Sequence, residues 1–274
     1  MLNKRVVGNS VDDISNISGN SIIAPGNKLV MALNKLFATS HSHQKKVHVS
    51  TAKDSINKRN LPSNMINMIK DYPSTKTKGL PRELPLYVGM PVFLTDNIAT
   101  ELGLTNGTTG VVKSIQFHCD EEVSGGTGFS HLENMPDCVI VELDDISMTP
   151  LDGLRPNHVP ILPQPGSFSV SIPGKADKIS INRRHFPLVP RFAYTAHKSQ
   201  GKTLRKAIVD LVVPEDKIGP VEINFSYVPL SRVRALDDLT ILRPFDPAIL
   251  RAPINEGCVA MMDEFKFRDE CKHM

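Results

Sequence analysis

The chain has 274 residues, 40% of them apolar, with 32 basic against 29 acidic side chains and four cysteines. That composition admits one large or two small globular domains and excludes a helical membrane span, since no run approaches the roughly 18 apolar residues a crossing needs. A net charge of +3 is too small to nominate a nucleic-acid partner, and Cys119, Cys138, Cys258 and Cys271 make no C-x-x-C pair, so free thiols are expected.

Residues 1–20 are dominated by Asn, Ser, Asp and Gly and are expected to form a flexible leader; they lack a signal-peptide core, which points to a nuclear or cytoplasmic address. Ser21 to Ala24 reads as a short buried strand, Pro25-Gly26-Asn27 as a turn, and Lys28 to Phe37 as a helix burying Leu29, Val30, Leu33, Leu36 and Phe37. Strand, turn and helix make one unit of an α/β sheet. His41, His43 and His48 follow without the spacing of a metal-ligand set. Met65, Ile66, Met68 and Ile69 have helical spacing, and a linker rich in Pro, Lys and Thr runs on to Arg82. The short basic clusters Lys45-Lys46, Lys76 to Arg82 and Arg183-Arg184 suit either a solvated surface or phosphate contact.

From Leu86 the pattern changes. Leu86 to Asn97 and Leu104 to Val112, joined by a loop with an Asn106-Gly107 turn, then Lys113 to Phe117 and Cys138 to Leu143, read as the strands of a small antiparallel barrel. Pro150 to Lys178 reads as loop and barrel edge, with Phe168, Val170 and Ile172 alternating as one strand, and Ile181 to Leu188 leads back into the α/β sheet.

Phe192 to Leu211 is a strand, a polar turn with a short helix capped by Thr195, and a second strand. Such a turn lies where open α/β sheets put their ligands, and Gly201 permits close approach of a phosphate or partner chain. Gly201-Lys202-Thr203 ends like a phosphate loop, but Ala196 stands where that motif needs its first glycine and the chain turns β-rich after Thr203. Tyr227 to Leu230 reads as a further strand, and Met262 to Lys272 as a helix in the tail.

The string His197-Lys198-Ser199-Gln200-Gly201-x-Thr203, followed by Tyr227-Val228-Pro229-Leu230-Ser231-Arg232-Val233-Arg234, resembles the two late motifs of the superfamily 1 DNA helicases of the Pif type, the RecD-like branch that includes Helitron helicases. Asn27, Asn34 and the Ser50 to Asp54 segment resemble an earlier part of the same pattern, or merely cap and turn. GLPRELPLYVGMPVFL with the later N-G-T-x-G-x-V resembles the entry to the family's SH3-like barrel, and Arg184-His185-Phe186-Pro187-Leu188 its return. Asp96, His185, Pro229 and Asn224-Phe225 depart from the pattern.

The resemblance implies an α/β fold: a second RecA-like (P-loop NTPase-type) helicase domain with an inserted small SH3-like β-barrel. The leader would be 1–20, the RecA-like domain 21–85 and 181–250, the barrel 86–180 and the tail 251–274. It further implies Arg232 as an arginine finger on ATP, Gln200 and Gly201 at the nucleotide, and His197, Lys198, Thr203, Asn27 and Arg183 toward DNA. An intact helicase of this type uses ATP and Mg²⁺, moves 5′ to 3′ on single-stranded or fork DNA, and acts in the nucleus or mitochondria. No G-x-x-x-x-G-K-[ST] occurs in the 274 residues, so the expectation is a C-terminal half that lacks an N-terminal RecA-like domain and is inactive alone. A non-catalytic single-stranded DNA-binding module and an inert transposon-derived fragment are the alternatives.

Overall fold

A computed structural model describes residues 6, 21–70, 72, 76–123, 125–144, 149–171, 178–213 and 224–251. In chain order the elements are β1 (Ser21–Ala24), α1 (Asn27–Ser40), β2 (Lys46–Thr51), β3 (Lys53–Ile56), β4 (Arg59–Asn60), α2 (Ser63–Ile69), β5 (Glu83–Leu86), β6 (Pro91–Leu94), β7 (Thr109–Gln116), β8 (Gly128–His131), β9 (Cys138–Leu143) and β10 (His158–Ile161). There follow β11 (Gln164–Ser171), β12 (Lys178–His185), β13 (Leu188–Pro190), β14 (Ala193–Thr195), α3 (Ala196–Ser199), β15 (Ala207–Val209), α4 (Asn224–Leu230) and β16 (Leu239–Ile241). Cys258, Cys271, Ile172, the 262–272 helix and nearly all of the 1–20 leader lie outside the described residues.

The chain divides into two compact units: the segments up to Leu33 and from Phe192 form one, and Asn34–Arg191 the other. The first is built on a four-stranded sheet of order β14-β1-β15-β16, every neighbouring pair parallel. A parallel sheet is covered on both faces, so its strands read as unbroken apolar runs. Ile22, Ile23, Ala24, Ala207, Ile208 and Val209 are all buried to 1% exposure or less. The expectation of a short buried strand feeding a helix therefore holds at β1 and α1, except that Leu36, expected on the buried face, is 44% exposed.

The second unit is antiparallel in most of its ladders. Its sheets have the orders β10-β9-β7-β6-β13, β11-β12-β3-β4 and β5-β2-β8. Among the described residues no ladder joins β10 to β13, so the five strands pair as an open sheet. The expected turn is present, with Gly107 at φ 93° and Asn97 Oδ1 accepting from the Asn106 amide at 2.9 Å. A register shift between Val112 and Ser114 interrupts the β7–β9 ladder. The β11-β12-β3-β4 sheet and α2 enclose a core of Leu61, Ile69, Phe168, Val170 and Ile181.

Two expectations fail. Residues 181–188 do not return to the α/β sheet: β12 pairs with β11 and β3, and β13 with β6. Tyr227 to Leu230 is helix, not strand, forming the end of α4 with Pro229 inside it. Tyr and Val favour strands, but Phe225, Val228 and Pro229 fall on one helical face, at i, i+3 and i+4, and line a cavity. Tyr227 points away, 62% exposed. Burial of that face overrides β propensity.

Candidate functional site

In the first unit, a cavity of about 360 Å³ opens past the carboxyl ends of β1, β14 and β15, bounded by Ala24, Pro25, His197, Gln200, Asp210 and Val228 among others. This is the place where an open parallel sheet presents its loops to a ligand. Thr195 occupies the N-cap position of α3 with extended φ and ψ of −76° and 156°, but its side chain makes no capping bond. The one-turn helix ends at Ser199, whose buried hydroxyl donates to Ala196 O at 2.6 Å. Gly201 follows at φ 77°, a left-handed conformation that a side chain would strain, and nothing lies within 4 Å of where its Cβ would be. The glycine therefore serves the turn and leaves open space in front of it.

Arg232 holds this turn. Its Nη1 donates to Ser199 O at 3.4 Å and to Lys202 O at 3.3 Å, on either side of Gln200-Gly201. Nε donates to Val228 O at 2.9 Å and Nη2 to Ser231 Oγ at 2.7 Å. The backbones meet as well, since Leu204 N donates to Arg232 O at 2.8 Å and Leu204 bridges Val233 in parallel. Two segments about thirty residues apart in sequence thus form one constellation at the edge of the cavity.

His197, Lys198, Gln200 and Thr203 are exposed on the same loop. Desolvation by the surrounding protein lowers the Lys198 pKa from the ordinary lysine value. The side chain nevertheless retains an exposed surface.

Asp210 was not singled out by the sequence reading. It follows β15, lines the cavity, and is 2% exposed. Arg243 grips it with two bonds, Nε to Oδ1 at 3.0 Å and Nη2 to Oδ2 at 2.9 Å, and the Val212 amide donates to Oδ1 at 3.0 Å. The legible signal is an acid directly after the apolar run Ala207 to Val209, where a carboxylate would be buried without a partner.

Arg183 does not join this constellation. It lies in the second unit at 1% exposure, its fork on Asp54 (Nε to Oδ1 2.7 Å, Nη2 to Oδ2 2.9 Å), its Nη1 on Leu80 O at 2.9 Å, and its guanidinium 4.9 Å from the Phe168 ring. A guanidinium so enclosed, with three of its five N–H groups bonded to Asp54 and Leu80, is a structural ion pair that offers little surface to a phosphate, against the expectation that it faces DNA. Asn27 is exposed at the first residue of α1, two positions past Pro25 at the cavity. Asn34 is 8% exposed, buried with the packed face of α1.

No protein-family model matches the chain. Among curated proteins it is 29% identical over 171 residues to the ATP-dependent DNA helicase PIF1 of Danio rerio, the match covering 62% of this chain and 21% of that protein. It is 28% identical over 196 residues to the Pif1 helicase of Psychrobacter, covering 64% of this chain and 28% of that one. The crystal structure of Pif1 helicase from Candida albicans superposes with a TM-score of 0.57 at 20% identity, over 97% of this chain and 56% of that one.

The chain is similar to the Pif1 DNA helicases. The matches span 10% to 28% of the length of the curated relatives, and at 20% identity the structural likeness speaks to fold. A Bacteroides Pif1 crystallised with ADP-AlF3 and single-stranded DNA superposes with a TM-score of 0.56 at 17% identity. Against the Pif1 pattern, two departures meet in space: His185 Nε2 lies 3.6 Å from Asp96 Oδ2. His185 is 2% exposed, and burial lowers its pKa, a shift opposed by the Asp96 charge and by the Arg183 and Gln164 backbones and reinforced by the Arg183 charge.

Proposed function

We propose that this chain carries the second RecA-like domain of a Pif1-type ATP-dependent 5′ to 3′ DNA helicase, the part that supplies the arginine finger and the DNA-coupling loop. The observation that carries the proposal is the contact of Arg232 with both ends of the Gln200-Gly201 turn at the carboxyl edge of the parallel sheet. Phosphoryl transfer needs a cation against the charge that develops on the γ-phosphate, and a planar guanidinium meets that need. The 3.3 and 3.4 Å bonds to Lys202 O and Ser199 O are long, so Nη1 is released at small cost when an anion arrives. Gln200 and Gly201 then face the same phosphate, and His197, Lys198 and Thr203, on the same loop, carry its state to a DNA strand.

The donors present fit the outer side of a bound ATP and not its cradle. No lysine-capped glycine loop occurs in the 274 residues, so ATP and Mg²⁺ are held by another RecA-like domain, and residues 86–180 are read as an SH3-like insertion along the DNA path. The 274-residue chain by itself hydrolyses no ATP at a helicase rate. The second reading, a non-catalytic single-stranded DNA-binding module, is favoured by the exposed Lys198 and Thr203.

The purified chain tests both. ATPase assays with and without single-stranded DNA are expected to show no turnover, while fluorescence anisotropy shows salt-dependent binding whose slope falls by about one on Lys198→Ala. Robust DNA-stimulated turnover contradicts the divided ATP site, and binding indifferent to salt contradicts the DNA-coupling loop.

A further inference from the structure

Outside the cavity, one loop gathers three different metal-ligating side chains. His118, Cys119 and Asp120 follow β7, and their ligand atoms all lie within 4.8 Å of one another. Cys119 Sγ is 3.9 Å from His118 Nδ1, and His118 Nδ1 is 3.6 Å from Asp120 Oδ2. Around a tetrahedral zinc ion, bond lengths near 2.3 Å to sulfur and 2.0–2.2 Å to nitrogen or oxygen put neighbouring donors about 3.3–3.6 Å apart. The donors therefore need to move by tenths of an ångström to about one.

The loop is already shaped for this. Glu121 N donates to His118 O at 3.0 Å, closing the turn. The Glu121 carboxylate accepts from the Glu133 and Asn134 amides at 3.0 and 2.7 Å, which anchors the turn to the chain after β8. The Asp120 amide donates to His118 Nδ1 at 3.3 Å. That bond is long, so the Nδ1 lone pair is exchanged from the amide to a cation at small cost. Cys119 is a free, exposed thiol. The neighbouring His48, 8% exposed, stands edge-on to Phe117 at 4.8 Å and has no partner at Nδ1. It lies outside the three-donor cluster.

We propose that His118 Nδ1, Cys119 Sγ and an Asp120 carboxylate oxygen form a three-ligand site for a thiophilic divalent cation, Zn²⁺ or its analogue Co²⁺. A mixed N, S and O set selects such an ion over Mg²⁺ or Ca²⁺, which take oxygen ligands.

Titration of the full chain with Co²⁺, in a reductant that is not a thiol, is expected to produce a thiolate-to-cobalt absorption band at one ion per chain, bleached by Zn²⁺. Cys119→Ser abolishes the band, Cys138→Ser leaves it, and Asp120→Asn weakens binding by at least about tenfold, since losing a ligand costs no less than losing its outer-shell support. Zn²⁺ also protects Cys119 from alkylation, read by mass spectrometry. Absence of the band, its survival in Cys119→Ser, or its loss in Cys138→Ser overturns the proposal. Cys119→Ser and Asp120→Asn fall on a solvent-facing loop and Cys138 is half-exposed at the first position of β9, so circular dichroism should report an unchanged fold.

Discussion

Asp54→Ala should be among the most damaging single substitutions in the second unit. Asp54 is 3% exposed at its side chain and receives Arg183 through bonds of 2.7 and 2.9 Å and Arg82 at 3.3 Å. Removing the carboxylate leaves the Arg183 guanidinium, 1% exposed, with only Leu80 O and the Phe168 face. An unpaired buried charge of this kind costs about 3–5 kcal/mol. In a unit of this size each kcal/mol moves the midpoint by about 2–4 °C, so thermal unfolding followed by circular dichroism should fall by roughly 6–20 °C. The double variant Asp54→Ala with Arg183→Met removes both charges and should recover much of that loss, because a well-packed apolar replacement of a buried pair is often neutral. A midpoint within about 2 °C of the parent for Asp54→Ala would refute the reasoning. So would an Arg183→Met variant of parental stability that no longer binds single-stranded DNA, since that result returns Arg183 to the DNA surface.

Three further outcomes follow. Burial depresses the His185 pKa below the 6.5 of the free side chain, so between those two values the unfolded chain binds the extra proton. The stability is complete above pH 6.5 and is lost as pH falls toward the folded value; His185→Gln should flatten the decline of the midpoint between pH 7 and 5 only in part, because His48 is depressed in the same direction by burial and by Lys46. Gly110→Ala would set a Cβ 2.6 Å from both Glu142 O and Val141 Cγ1 across the β7–β9 pair, and the forced backbone shift should cost about 1–3 kcal/mol in denaturant unfolding. Gly201→Ala meets no neighbour; its cost should be the left-handed backbone alone, about 1–2 kcal/mol, measured by the same titration.

How far the sequence speaks depends on how local each interaction is. Ser21–Ala24 and Cys138–Leu143 are legible as strands because the apolar run itself marks a buried element. Helix α4 is not, because Tyr227 and Val228 favour strands and Pro229 argues against a helix, while the deciding fact is that Phe225, Val228 and Pro229 share a cavity wall. The order of the two late motifs foretells that Gln200 and Arg232 belong together, but not that Arg232 rests on the carbonyls flanking Gln200-Gly201. Arg183 looks like half of a basic cluster in sequence, and its carboxylate partner is 129 positions away, beyond any local pattern. The Asp210–Arg243 pair is hidden in the same way, joining the ends of two neighbouring strands.

The central claim is that Arg232 acts on a nucleotide held by another domain. It is tested most directly by exchanging residues 21–250 for the matching segment of a Pif1 helicase and measuring DNA-stimulated kcat with and without Arg232→Ala. The account predicts an active chimera whose kcat falls by about 10³-fold or more on substitution, with the KM for ATP little changed, as expected for a group that acts on the transition state. A chimera without turnover, or one that keeps kcat within about tenfold after losing Arg232, would contradict it.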